Sequence, residues 1–212
     1  MRVALLTFAA LTSLLSVPTR AEPGSAGQVN EAPKLAADQA VQTQHQITVG
    51  GKALKYTAMT GTLTIRDDKG QPRASMFYVA YVLNPNDHSR PITFLYNGGP
   101  GSSSVWIHLG SFGPKRTELP GPGETAANPP YRLIDNQQTL LPKSDLVFLD
   151  AINTGYSRPA PGVAARDFMT SDADAEAFAK GIERFVTAHD RWNSPKFLFG
   201  ESYGTARNAV LV

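Results

Sequence analysis

Near its C-terminal end the chain reads KFLFGESYG, over residues 196–204. An apolar run, a Gly-x-Ser-x-Gly motif and a helix-forming segment follow one another, which is the strand–turn–helix order of a nucleophile elbow. Such a turn lifts the serine hydroxyl above the edge of a sheet, where it can attack a carbonyl carbon. The motif also occurs by chance, and the alternative is a tight glycine-rich turn without a catalytic role. The prediction that Ser202 is a nucleophile therefore depends on the flanking strand and helix.

A second stretch supplies the surroundings that such a serine needs. The short apolar run at residues 92–96 predicts a buried parallel strand, and it ends in NGGPG at residues 97–101. A serine hydrolase stabilises the oxyanion with the N–H after the nucleophile, here that of Tyr203, and with an N–H from the loop after an earlier strand. Gly98 and Gly99 suit that loop because no Cβ blocks the approach of a substrate. The alternative is an ordinary turn that ends a strand.

The remaining pattern predicts an α/β domain. Two β-prone runs, residues 54–65 and 73–83, flank a turn sequence and indicate an antiparallel hairpin. A central strand is predicted at residues 145–150, and a helix from its cap Asp172 to about Trp192. This order predicts a mostly parallel sheet with an antiparallel N-terminal hairpin.

The N-terminus indicates export. Arg2 precedes an uncharged apolar stretch at residues 3–17, and Ala21 offers a small residue at a cleavage point. Residues 1–21 are therefore predicted to be a signal peptide, because the apolar stretch is too short to span a membrane comfortably. The alternatives are an uncleaved anchor and a buried helix. Residues 22–45 predict a flexible linker and residues 46–212 the folded domain. We expect a secreted or periplasmic protein without a stable membrane span after signal cleavage.

Composition and charge exclude several classes of protein. The 212 residues, 42% hydrophobic and 18% charged, suit one globular domain. A net charge of +2 without a long basic run gives no footprint for nucleic acid. The chain has no Cys, and its histidines lack metal-ligand spacing, so neither a metal nor a cofactor is predicted.

Three blocks resemble the serine carboxypeptidase family, peptidase family S10. They read NGGPGSSS at residues 97–104, FLDAINTGYS at residues 148–157 and GESY at residues 200–203. The resemblance extends from about residue 56 to the C-terminus, and it implies an α/β-hydrolase that removes C-terminal residues from peptides. It implies the following site: Ser202 as nucleophile, the N–H groups of Gly99 and Tyr203 as oxyanion hole, and Asn97, the Gly98 backbone and Glu201 as the groups that bind the C-terminal carboxylate of a peptide substrate.

The role that the resemblance gives to Glu201 has a physical consequence. A carboxyl group can donate a hydrogen bond to a carboxylate ligand only when it is protonated. The nearby negative charge of the ligand also favours the protonated form. We therefore expect acidic pH to favour the exopeptidase activity. The alternative is that Glu201 is a solvated residue of the elbow.

Three positions depart from the pattern of the family. Ser102 stands where a Cys is usual, which indicates a bacterial-type member without a disulfide there. Ser111 stands where many members have a Glu that partners the elbow Glu, and Asn153 where a Gly or Val is usual. The change at Ser111 leaves an esterase or acyltransferase on the same scaffold as an alternative function.

The acid and the histidine base of this fold follow the serine in chain order. Residues 203–212 contain no His, Asp or Glu. We therefore expect the chain to be the N-terminal portion of a serine hydrolase, truncated after the nucleophile elbow, and an inactive truncated product is a further alternative. The sequence predicts neither the oligomeric state nor the preferred substrate side chains.

Overall fold

The computed structural model describes Asp38, residues 40–120 and residues 129–212. The strands are β1 (Ala40–Val49), β2 (Lys52–Arg66), β3 (Pro72–Leu83), β4 (Ile92–Tyr96), β5 (Lys115–Thr117), β6 (Leu133–Asp135), β7 (Asp145–Leu149), β8 (Arg158–Pro159) and β9 (Lys196–Gly200). The helices are α1 (Val105–Ile107), continued by a π-helical turn (His108–Phe112), a 3₁₀ turn (Ala165–Phe168), α2 (Ser171–Ala188) and α3 (Tyr203–Leu211). The predicted signal peptide lies outside the described residues, as does most of the predicted linker.

The main sheet is mixed. Its order is β1-β2-β3-β7-β4-β9, and β8 pairs with β3 outside this path. The pairings from β1 to β7 are antiparallel, whereas β7, β4 and β9 are parallel to one another. The predicted antiparallel hairpin, followed by parallel strands, is therefore confirmed. β5 and β6 form a separate antiparallel pair.

The parallel strands β4 and β7 are buried along their whole length. Because both faces of these strands are covered, their sequences are apolar runs rather than alternating patterns. Successive residues point to opposite faces, so Phe94 belongs to one hydrophobic core and Leu95 to another. On the first face α2 packs through Phe178 and Phe185, with Ile182 partly buried, as its helical spacing predicted.

The first strand begins before residue 46, where the folded domain was predicted to start. β1 starts at Ala40, inside the predicted linker, and pairs with β2 from Ala40 opposite Gly61 to Val49 opposite Lys52. Most of its side chains are exposed and only Ile47 is buried, so backbone hydrogen bonds rather than an apolar pattern hold it. Asp38 extends the attachment, since it accepts hydrogen bonds of 2.7 Å from the Thr64 N–H and hydroxyl.

Both predicted ends of α2 were wrong. The cap is Thr170, whose hydroxyl accepts a hydrogen bond from the Ala173 N–H at 3.3 Å, and Asp172 lies in the first turn. The helix ends at Ala188 because Asp190 takes a left-handed conformation, with φ of 53°, and the Arg191 N–H turns back to the Val186 carbonyl. Within the described ranges, no helix has the length and apolar character needed to cross a membrane.

Candidate active site

The structure brings the two predicted glycine-rich segments together. β4 and β9 are parallel neighbours, and their carboxyl ends meet where Tyr96 lies opposite Gly200. The Glu201 N–H donates to the Tyr96 carbonyl at 3.1 Å, which continues the ladder into the turn. The loop after β4 and the elbow after β9 therefore lie side by side at one edge of the sheet.

Ser202 has the backbone conformation of a nucleophile elbow. Its φ is 55° and its ψ is −122°, in a region that residues other than glycine rarely occupy. The turn is held by two hydrogen bonds, from the Gly204 N–H to the Glu201 carbonyl and from the Thr205 N–H to the Ser202 carbonyl. A Cβ at Gly200 would lie 2.0 Å from the Gly204 carbonyl oxygen, so the turn requires glycine there.

The loop after β4 lies against the start of α3. A Cβ added to Gly98 would lie 2.4 Å from the Tyr203 nitrogen, so only glycine fits at this point of contact. Gly99, with a φ of 111°, lines the cavity beside Ser202. Tyr203 is the first residue of α3, so its N–H has no acceptor within the helix and lies at the positive end of the helix dipole.

A cavity of about 560 Å³ opens beside Ser202. One part of its lining is polar, from Asn97, Glu201 and Ser202, and another part is apolar, from the side chains Trp106, Ile107, Phe112 and Phe199. The rings of Phe112 and Phe199 meet edge to face at 4.8 Å, and Trp106 is 71% exposed at the cavity. Such a cavity suits a ligand that carries both a polar group and an apolar group.

Asn97 and Glu201 form a direct pair in this cavity. The Asn97 Nδ2 donates to Glu201 Oε2 at 3.0 Å, and the Ile107 N–H donates to Asn97 Oδ1 at 3.0 Å. Asn97 is buried, whereas Glu201 is exposed to the cavity. Because Asn97 Oδ1 is already bonded to a backbone N–H, its amide is oriented with the Nδ2 toward Glu201.

A family model described as serine carboxypeptidase matches residues 50–206. This chain belongs to the serine carboxypeptidase family. The match spans all three sequence blocks, and together with the mixed sheet it confirms the α/β-hydrolase fold.

Comparisons with curated proteins and with solved structures gave different results. A search of the curated proteins found no match. A solved structure, that of the peroxisomal alpha-beta-hydrolase Lpx1 from Saccharomyces cerevisiae, is similar over 82% of this chain, with 12% sequence identity and a TM-score of 0.35. The chain spans 40% of the length of that protein.

The positions that depart from the serine carboxypeptidase pattern have clear locations. Ser102 and Ser111 both line the cavity, so both changes alter the candidate site directly. The Ser111 carbonyl accepts a hydrogen bond from Asn136 Nδ2 at 2.5 Å. Asn153 has a φ of 70°, a left-handed conformation that Asn tolerates better than most residues.

The middle block, around Asp150, fastens the loop after β4. The Asp150 Oδ1 accepts hydrogen bonds of 2.8 Å from both the N–H and the hydroxyl of Ser104. A Cβ at Gly155 would lie 1.8 Å from Asp150 Oδ2, so the chain folds closely over this buried carboxylate. Ser157 donates to the Asp150 carbonyl and accepts from the Phe77 N–H, both at 2.8 Å. Asp150 thus supports the site from behind the loop.

The histidines contact groups away from Ser202. His45 contacts Thr43, His88 contacts Asn86 and Asp190, His108 contacts Tyr81, and His189 contacts Tyr78. His189 also packs on Phe185, with ring centroids 4.3 Å apart, as its place on the apolar face of α2 predicted. Among the side chains that the structure describes, no group of three or more His, Cys, Asp or Glu could hold a metal ion.

The sequence reasoning missed Arg207 and Asp174. Arg207 is buried in α3 and its Nε lies 2.7 Å from Asp174 Oδ2 in the first turns of α2. Its Nη1 donates to the Asn97 carbonyl at 3.0 Å. The signal available in the sequence was a single basic residue in the helix that follows the elbow, which by itself predicts only a solvated side chain.

Proposed function

We propose that the protein is a serine-type carboxypeptidase that releases the C-terminal residue of a peptide through an acyl-enzyme on Ser202. The observation that carries this proposal is the pair of Asn97 and Glu201, joined at 3.0 Å in the cavity that also contains the strained Ser202. An amide donor, a carboxyl group and the Gly98 backbone together suit the free carboxylate at the end of a peptide.

In the proposed mechanism, the Ser202 hydroxyl attacks the carbonyl carbon of the last peptide bond while a general base takes its proton. The N–H groups of Gly99 and Tyr203 stabilise the negative charge that develops on the carbonyl oxygen. When the tetrahedral intermediate collapses, the C–N bond breaks and the proton passes to the departing amine. Water then hydrolyses the ester on Ser202 and releases the shortened peptide.

The base and its acidic partner belong to this proposal as well. The four histidines of the chain make contacts elsewhere, so we assign these roles to a His and an Asp outside residues 1–212. A product limited to these residues should then be inactive. Turnover by that product at the rate of a complete serine hydrolase would contradict this part of the proposal.

Labelling with a fluorophosphonate tests the nucleophile in the full-length gene product. Ser202→Ala should abolish labelling and lower kcat by a factor on the order of 10⁶ on blocked dipeptides that carry a free carboxylate. Glu201→Gln should keep the labelling but lose the preference for substrates with a free carboxylate, and for acidic pH. A Ser202→Ala variant that still labels and still cleaves would overturn the assignment.

Ser111 in the cavity favours a second candidate, an esterase or acyltransferase on the same scaffold. The position at which many family members carry a carboxyl group has a hydroxyl group here, which changes the polar lining next to the substrate. Equal rates on matched substrates with and without a free carboxylate would support this candidate instead.

The proposed location is secreted or periplasmic. It rests on the signal-peptide pattern at residues 1–21. N-terminal sequencing of the mature protein tests it, since a start at Glu22 would support cleavage and a start at Met1 would contradict it.

A further inference from the structure

Arg207 forms a buried ion pair directly beneath the candidate site. Its Nε lies 2.7 Å from Asp174 Oδ2, and its Nη2 donates to Asp174 Oδ1 at 3.3 Å, so the contact uses both carboxylate oxygens. The exposed fraction of the Arg207 side chain is 1%, and that of Asp174 is 13%. The pair therefore joins the helix that follows the nucleophile to the first turns of α2, with the guanidinium buried and the carboxylate partly exposed.

The same guanidinium reaches a third element of the fold. Its Nη1 donates to the Asn97 carbonyl at 3.0 Å, at the point where the chain leaves β4. The Asn97 side chain is held separately, by the Ile107 N–H and by Glu201. Arg207 thus fixes the backbone of the residue whose side chain contacts Glu201, and whose next neighbour, Gly98, lies against the elbow.

Aromatic rings enclose the guanidinium. Its central carbon lies 4.0 Å from the ring centroid of Phe178, 5.0 Å from that of Tyr96 and 5.5 Å from that of Tyr203. Removing a cation from water is costly, and apolar side chains of similar size often stabilise such a site equally well. The planar fork of arginine offers what an apolar residue cannot, because it holds a carboxylate and a carbonyl oxygen at the same time.

We propose that Arg207, oriented by Asp174, is a positioning residue for the loop at residues 97–99. By holding the Asn97 carbonyl, it sets the position of the Asn97 amide and of the Gly98-Gly99 backbone relative to Ser202. The catalytic consequence rests on the proposed carboxypeptidase function, whereas the effect on the loop itself does not.

The chain contains a matched control. Arg191 is also buried, with its Nη1 2.8 Å from Asp145 Oδ2, and it donates to the Arg90 carbonyl at 2.8 Å. Asp145 is the first residue of β7, so this pair lies at the amino ends of the parallel strands, away from Ser202. A substitution at Arg191 therefore perturbs a buried ion pair of the same kind without contacting the loop after β4.

The experiment compares Arg207→Lys with Arg191→Lys in the full-length gene product, with active sites counted by fluorophosphonate. Lysine keeps the charge but cannot bind Asp174 and Asn97 with the geometry of the fork. Arg207→Lys should lower kcat/KM by a factor on the order of 10² on a blocked dipeptide with a free carboxylate. It should also raise KM for that dipeptide. The increase in KM should be smaller for the same dipeptide with its carboxylate esterified. Arg191→Lys should leave the kinetics per active site unchanged.

Hydrogen exchange provides a readout that needs no activity. Arg207→Lys and Asp174→Asn should both speed exchange in peptides that cover residues 97–107, and Arg191→Lys should not. Unchanged exchange there in either of the first two variants would overturn the positioning role, even if the other variant does not fold. A wild-type protein that cleaves neither substrate would contradict the proposed function instead, and the exchange measurement would still decide the role of Arg207.

Discussion

The two ends of the parallel strands are built on different principles. At the carboxyl ends lie glycine-rich turns, an open cavity, and Ser202 with a φ of 55°. At the amino ends lies Asp145, fully buried, with Arg90 Nε 3.0 Å from its Oδ1 and Arg191 Nη1 2.8 Å from its Oδ2. The carboxyl end has a strained backbone and polar groups that are open to a ligand. At the amino end, the charged side chains form ion pairs with one another.

This difference separates the residues that should affect activity from those that should affect stability. Asp145 also accepts a hydrogen bond of 3.0 Å from the Leu83 N–H, so it links β7 to the end of β3. The Asn97, Ser202 and Glu201 side chains instead line the cavity. Predictions about the two ends can therefore be tested by measuring stability and turnover in the same variants.

The largest effect on stability should come from the amino end. Asp145→Asn removes the charge that balances two arginines, one of them fully buried, and breaking such a pair costs about 3–5 kcal/mol of the free energy of unfolding. Denaturant titration measures this loss, and turnover per folded molecule should not change. Asp68→Asn is the control, because Asp68 is 97% exposed in its pair with Lys180 and should contribute at most about 1 kcal/mol. Equal losses in the two variants would contradict the comparison.

A smaller effect is expected from acid. Burial lowers the pKa of His108, which stacks on Phe148, from 6.5 to about 4, so between these values the unfolded chain binds a proton that the folded chain does not. Stability should therefore fall as the pH drops through this window, by roughly 2–3 kcal/mol from this residue. The window overlaps the acidic pH that we expect to favour activity.

Two substitutions separate the contributions of the two partly buried histidines to this acid sensitivity. His108→Gln, which can keep a hydrogen bond to Tyr81, should flatten the dependence of stability on pH between 6.5 and 4. Burial and, to a smaller degree, Arg191 also lower the pKa of His189 near the amino end. His189→Gln should flatten the curve less, and the reverse order in thermal melts across this range would refute the assignment.

The smallest effect should come from relieving the strain at the elbow. Ser202→Gly places glycine at a φ of 55° and should stabilise the protein by about 1 kcal/mol while it abolishes activity. Asn153→Gly is the control, because Asn already tolerates its φ of 70° and little strain is available for release. A lower melting temperature for Ser202→Gly than for the wild type would show that the elbow stores no strain.

Part of the fold followed from local patterns. Residues 92–96 and 145–149 are continuous apolar runs because both faces of β4 and β7 are covered, and that pattern identified them. The sequence did not predict β1, because its side chains are mostly exposed and leave no apolar pattern. The strand is held by its backbone pairing with β2. Thr170 was missed as the cap of α2 because Asp172 suits that position equally well by residue type.

Local chemistry alone predicted Ser202 and the Gly98-Gly99 loop, since elbows and oxyanion loops demand particular residues at particular spacings, whereas the prediction for Glu201 came from the resemblance to the serine carboxypeptidase family. The tertiary structure decided which strands are neighbours, and with them the pairing of Asn97 with Glu201 and the enclosure of Arg207 beneath the loop. Those contacts join residues far apart in the chain. Their geometry depends on the order of strands in the sheet and on the close approach of backbones, which no local sequence pattern encodes.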